Sequence, residues 1–218
     1  MKSFFYFILL TLCSLSVAGQ KRIILADLGK LGEQPVHNRT ISIKKTDGDP
    51  YISLSQGKGE GIFWLPLKNF RNGTIIVEMR GKNVPQQSFI GLAFGGKNDS
   101  TFEAVYCRPF NFLSTDSVKR VHSIQYIAHP RYTWMLLREQ YNGQFENEIL
   151  SPPNPDDWFR MRIKINDTSV TAFINNESRP SLQIKRLTSS QNGKIGLFVG
   201  NNSGGDFRFI DIVNNRTR

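Results

Sequence analysis

The chain is 218 residues long and carries 28 Lys and Arg against 18 Asp and Glu, a formal net charge of +10. That length suits one domain with a self-sufficient core, and two cysteines rule out a disulfide framework. The basic residues fall in scattered pairs, Lys21-Arg22, Lys44-Lys45, Lys119-Arg120 and Lys185-Arg186, which excludes a nucleic-acid module and leaves acidic partners electrostatically favoured.

Lys2 precedes an apolar run from Phe4 to Leu12, and the small residues Ser14, Ser16, Ala18 and Gly19 follow. This is the pattern of a secretory signal peptide, so residues 1–19 are expected to be removed and residues 20–218 to be exported to the periplasm or the medium. Leu12 is bulky where a lipid-attachment motif at Cys13 wants a small residue. No later stretch approaches the ~18 apolar residues that span a bilayer, and the mature chain keeps one cysteine, Cys107.

Short apolar or alternating runs bounded by Gly, Asn, Asp and Pro predict strands over 41–44, 51–55, 61–65, 74–80, 89–94, 103–108, 122–127, 159–165, 170–174, 194–199 and 207–213. So many short strands in one domain imply two stacked antiparallel sheets, an all-β jelly-roll sandwich. Asp47-Gly48, Asn72-Gly73, Asn142-Gly143 and Asn192-Gly193 are expected at turns, with Asn166-Asp167 closing a hairpin. In the run Phe159, Met161, Ile163, Ile165 the apolar residues alternate with Arg160, Arg162 and Lys164, whose charges read as a solvated face. Residues 133–140 predict the one short helix, in a loop, capped by Thr133. The proline-rich stretch 148–157 cannot be a central strand.

Between residues 101 and 139 polar, aromatic and charged groups crowd into strand-like sequence, a mixture that costs free energy in a sealed core. There Phe102, Tyr106, Phe110, Phe112, Tyr126, Tyr132 and Trp134 alternate with polar residues. Arg108 and Asn111 supply a planar donor fork and an amide, and Gln125 a second amide, all suited to sugar hydroxyls or a carboxylate. His129, Tyr132 and Trp134 form an expected stacking platform, with Arg138 beside it. Each of these also has a purely structural reading as a loop anchor or buried hydrogen bond.

The phrases SFIGLAFGGKND, FEAVYCRPFNF, SIQYIAHPRYTW, DDWFRMRI and GKIGLFVGNNSGGDF resemble a bacterial secreted family of the concanavalin A-like lectin/glucanase superfamily, with laminin-G-like jelly rolls, over about residues 51–212. Neighbouring families are 3-keto-disaccharide hydrolases and endoglucanases, so the resemblance implies carbohydrate as the ligand class. The Glu, Asp and Glu strand motif of the glucanases has no counterpart, because Glu103 is followed by Ala104-Val105-Tyr106. The Glu before a Leu-Asp pair in the keto-disaccharide hydrolases is missing too.

The expectation is an exported module that binds an oligosaccharide or polysaccharide, acidic ones included, through the patch at 103–139. The alternative is a glycoside hydrolase or 3-keto-glycoside-cleaving enzyme with Glu103 as acid/base, for which an ion pair fixing the sheet is the structural reading. Glu139 also flanks the patch; Glu146 and Glu148 read as a solvated loop pair, Trp158 as a plug at the sandwich edge, and Cys107 as an inert packed thiol. No cofactor is expected and no His/Cys spacing fits zinc, while Asn201, Asn202, Ser203 and Asp206 are oxygen donors that leave calcium open. Seven Asn-x-Ser/Thr triplets would be silent in a bacterial periplasm. The oligomeric state stays open.

Overall fold

The computed structural model describes residues 20–29, 36–67, 70–189 and 192–214; the expected leader at 1–19, with Cys13, lies outside them. In chain order the elements are β1 (Gln20–Ile24), α1 (Leu25–Gly29), β2 (Val36–His37), β3 (Ile41–Thr46), β4 (Asp49–Leu54), β5 (Gly61–Trp64), β6 (Gly73–Arg80), β7 (Ile90–Asn98) and β8 (Thr101–Cys107). A 3-10 turn at Pro109–Asn111 leads to α2 (Ser117–Arg120), β9 (Ile124–Ala128), α3 (Trp134–Gln140) and β10 (Glu146–Asn147). The chain continues through β11 (Phe159–Ile165), β12 (Ser169–Ile174), β13 (Leu182–Lys185), β14 (Lys194–Val199) and β15 (Gly205–Asn214).

One sheet runs β13-β12-β11-β6-β15-β4-β3, with β1 also paired to β15, and the other runs β10-β9-β8-β7-β14-β5-β2. Every pairing is antiparallel. The core lies between the sheets, where Ile75, Val77, Met161, Ile163 and Ile210 of the eight-stranded sheet meet a register row of the other, Phe63, Leu197, Leu92, Val105 and Tyr126. β11 buries every second residue and exposes Arg160 and Lys164, as its alternation predicts. β8 and β9 are buried on both faces, because loops and α3 cover the outside of the seven-stranded sheet.

All eleven expected strands form, and the sequence reading missed β1, β2, β10 and β13, which are short or at edges. The expected helix is α3, with Thr133 Oγ1 accepting from Leu136 N at 3.3 Å; α1 and α2 are additional. Residues 122–123 fall before β9 because His122 N and Ser123 N donate to Lys119 O and Arg120 O, closing α2. Asp47 and Gly48 turn with φ of 51° and 87°, joining β3 to β4. Gly193 is instead a close approach: it bridges Phe70, and a Cβ there would stand 2.3 Å from the carbonyl carbon of Gly95.

Candidate functional site

A single register row of the seven-stranded sheet, Phe198–Gly91–Tyr106–Gln125–Glu146, crosses β14, β7, β8, β9 and β10. It alternates with the core row, so its side chains point to the outside of the sandwich. Gly91 is the step without a side chain, since a Cβ there would meet Val105 O at 2.1 Å. Above the row opens a cavity of about 670 Å³, walled by Phe89, Phe110, His122, Trp134 and Arg138, with Asn201 and Asn202 on its rim.

The floor is hydrogen-bonded into one geometry. Arg108 donates to His122 O at 2.8 Å, to Tyr106 Oη at 2.9 Å and to Gln125 Oε1, which also accepts from Tyr106 Oη at 2.9 Å. Gln125 Nε2 is buried without a hydrogen-bond partner. Arg138 grips Glu146 through Nε at 3.2 Å and Nη2 at 2.8 Å, and its guanidinium carbon lies 5.4 Å from the Trp134 ring centre. His122 Nδ1 lies 2.7 Å from Glu146 Oε2, without the alignment of a full hydrogen bond.

Burial acts against ionised Glu146, yet the hydrogen bonds and charge of Arg138, with His122 and Arg108, outweigh it and hold the carboxyl below its ordinary range. Burial pushes His122 the same way, below its usual value, and the two arginines add to the shift against the pull of Glu146. Near neutral pH the site therefore combines a fixed carboxylate, a neutral imidazole and two arginines. Burial raises the Tyr106 hydroxyl, which stays a neutral donor.

Of the residues expected to bind, Arg108, Asn111, Trp134 and Arg138 line this cavity, and Gln125 lies buried beneath it, bonded to Tyr106 and Arg108. Trp134 is 44% exposed at the mouth. His129 and Tyr132 line a separate cleft of about 230 Å³, where the His129 ring stacks on Phe102 with centroids 5.0 Å apart. His129 Nε2 lies 3.1 Å from Glu60 Oε1, and Glu60 reaches the wall of the main cavity.

Glu103 is on the opposite face of the sheet. Residues 103, 105 and 107 point between the sheets, where Glu103 accepts from Arg186, from Thr188 Oγ1 at 2.7 Å and from Tyr126 Oη at 2.5 Å. Phe112 and Tyr126 also turn inward and are 1% and 0% exposed, so the aromatic block divides between core and cavity. Glu139 is exposed.

Two carboxylates read as a solvated pair separate in the structure. Glu148 stays at the surface, 3.8 Å from Arg120, but Glu146 is buried because β10 pairs its backbone with Gln125 of β9. His122 is a candidate group the sequence reading did not single out, and Glu146 one it read as solvated; the local hint was a carboxylate placed between Phe145 and Asn147 on a run that ends in buried Ile149.

Trp158 lies between Arg80 and Arg208, edge-on to Tyr51. Burial pushes the Cys107 thiol far above its usual range. Of the four residues considered for calcium, three have their side-chain oxygens engaged, Asn201 Oδ1 by Gly59 N, Ser203 Oγ by Phe89 N and Asp206 by Arg80. Among the described residues no three His, Cys, Asp or Glu side chains converge as metal ligands, and no helix is long and apolar enough to cross a membrane.

No protein-family model matches this sequence, and no curated protein matches it. Solved structures do. A Bacillus subtilis protein of unknown function with a galectin-like fold superposes with a TM-score of 0.56 at 14% identity, over 89% of this chain and 94% of its own. The carbohydrate binding module CBM66 from Bacillus subtilis gives 0.51 at 11% identity, over 82% and 93%. The VIP36 exoplasmic/lumenal domain, in a Ca2+/Man3GlcNAc-bound form, gives 0.53 at 15% identity, over 83% and 84%. Identities this low speak to architecture alone, and the architecture they share with this chain is the two-sheet, galectin-like jelly roll.

Proposed function

We propose that the cavity over Tyr106, Gln125 and Glu146 binds a carbohydrate. One observation carries this reading: the rings of Phe89, Phe110 and Trp134 stand around rigidly held planar hydrogen-bonding groups, Tyr106, Arg108 and Arg138, in an open cavity of about 670 Å³. Sugars present that same alternation of apolar ring face and hydroxyl edge, so Trp134, Phe89 and Phe110 meet the face while Arg138, Asn111 and Asn202 meet the hydroxyls. The solved neighbours include a carbohydrate binding module and a domain with Man3GlcNAc bound, which supports the ligand class. Export rests on the leader-like sequence at 1–19.

Titration calorimetry of the purified protein against a panel of neutral and acidic oligosaccharides tests this. Trp134→Ala removes the stacking wall and weakens binding about tenfold. An affinity that Trp134→Ala leaves unchanged rules out the platform, and no heat with any sugar rules out the reading.

A second reading, cleavage of the bound sugar, is favoured by the neutral imidazole of His122 set against ionised Glu146 at the cavity wall. In that case His122 is the proton acceptor and Glu146 orients it, and the locked Glu103 takes no part. Chromatography of the same mixtures decides: new products that disappear with His122→Ala make the protein an enzyme, and bound but intact sugar makes it a lectin-like module.

A further inference from the structure

The outer face of the eight-stranded sheet, on the far side of the sandwich from the cavity, carries its own chemistry. Three buried or half-buried rings there each hold two cations. Arg22 and Arg160 lie 4.3 and 5.3 Å from Phe209, Arg162 and Lys164 lie 4.3 and 5.3 Å from Phe173, and Arg80 and Arg208 lie 4.7 and 4.3 Å from Trp158. Cation–π contact lays these side chains along the sheet instead of leaving them to wave in solvent.

Four acids of the sheet and its turns are already taken. Asp211 pairs with Arg22, Asp206 with Arg80, and Glu78 with Arg160 and Arg208. Asp167, at the turn between β11 and β12, is held by Arg71. Arg162, Lys164 and Lys185 cluster at the β11–β12–β13 corner, and none of the described carboxylates forms an ion pair with them. Arg162 Nη2 finds only the backbone oxygen of Glu177 at 3.3 Å, and its Nε is buried without a partner.

The register sets the spacing of these three charges. Arg162 and Lys164 are two residues apart on β11, roughly 6.7 Å along the strand. Lys164 pairs with Thr171 and Lys185 with Ser169, so Lys185 stands two strands across and one pleat along, on the order of 12 Å away. Charges spread at these intervals over one exposed sheet face suit a polymer that carries several anions along an extended chain.

We infer that this corner is a second binding surface, for an anionic polysaccharide bearing carboxylate or sulfate groups. Neither a membrane nor a nucleic acid fits as well. Phe173 and Phe209 are 7% and 6% exposed beneath their cations, so they are closed both to insertion into a bilayer and to stacking on a base. What is left open is guanidinium and ammonium, the groups that take carboxylate and sulfate oxygens.

The test is binding of the purified protein to polygalacturonate and to heparin, with neutral dextran as control, across a salt series. The expected result is affinity for both polyanions and none for dextran, with log affinity falling linearly with log salt at a slope of about −2 to −3 for three contacts. The double change Lys164→Ser with Lys185→Ser lowers that affinity about tenfold, both residues being exposed and outside the core. Trp134→Ala, which damages the cavity on the other side, leaves it unchanged, so failure here is separable from failure of the sugar-cavity reading. No retention on either polyanion at low salt, or retention that survives the double change, overturns the inference. Equally tight, lysine-dependent binding to duplex DNA or to phosphatidylserine vesicles overturns the choice of glycan.

Discussion

Glu103 and Glu146 show how one residue type takes opposite parts according to the face it is given. Glu103 points between the sheets, where side-chain contacts with Arg186, Thr188 and Tyr126 use its oxygens. Glu103→Gln leaves Arg186, 2% exposed in its side chain, with an uncompensated charge, and lowers stability by about 3–5 kcal/mol in urea unfolding. The double change Glu103→Leu with Arg186→Met recovers most of that loss; equal stability of wild type and Glu103→Gln would refute the pairing.

Glu146 and His122 tie stability to pH instead. The folded protein holds His122 below its ordinary value of 6.5, so between the two values the unfolded chain binds more protons and stability rises with pH. The His122 contribution is thus complete above pH 6.5 and is lost as pH falls through the lower folded value, at no more than about 1.4 kcal/mol per pH unit. Glu146, also held low, adds its own loss below 4.5. His122→Asn flattens the unfolding free energy from pH 6.5 downward while leaving the Glu146 limb; an unaltered slope would mean that His122 titrates alike in both states.

At the scale of elements, much of the fold was legible because strand formation is written locally. The alternation of Phe159, Met161, Ile163 and Ile165 states both the strand β11 and its buried face, and Thr133 announces α3. β2 and β10 are two residues each, and so short a run has no period to read. The site was only partly legible for the same reason. Arg108, Asn111, Trp134 and Arg138 stood out by their company, but Glu146 owes its burial to pairing with β9, some twenty residues earlier, and to Arg138. The division of Tyr106 from Glu103 follows from strand parity, which the residues state as soon as β8 is known to carry a core on one side and a cavity on the other.

At the scale of the whole molecule, the two sheets present two unrelated surfaces on opposite sides of a sandwich whose layers sit about 10 Å apart. One surface is a recessed cavity whose charges are largely mutually paired, and the other is an open face whose β11–β12–β13 corner carries unpaired cations. Such surfaces answer to salt differently, since pairs inside a cavity are poorly screened whereas exposed cations lose their reach beyond a Debye length of about 8 Å at physiological ionic strength. A neutral oligosaccharide in the cavity and a polyanion on the outer face are therefore expected to bind together. Calorimetric affinity for the oligosaccharide should change less than about twofold when polygalacturonate saturates the protein, because no described contact links the Lys164 corner to Arg138. Raising the salt from 50 to 500 mM should remove the polyanion and leave the oligosaccharide in place. Mutual exclusion of the two ligands would show instead that both use one surface, and the cavity, with Arg108 and Arg138 at its floor and wall, would be that surface.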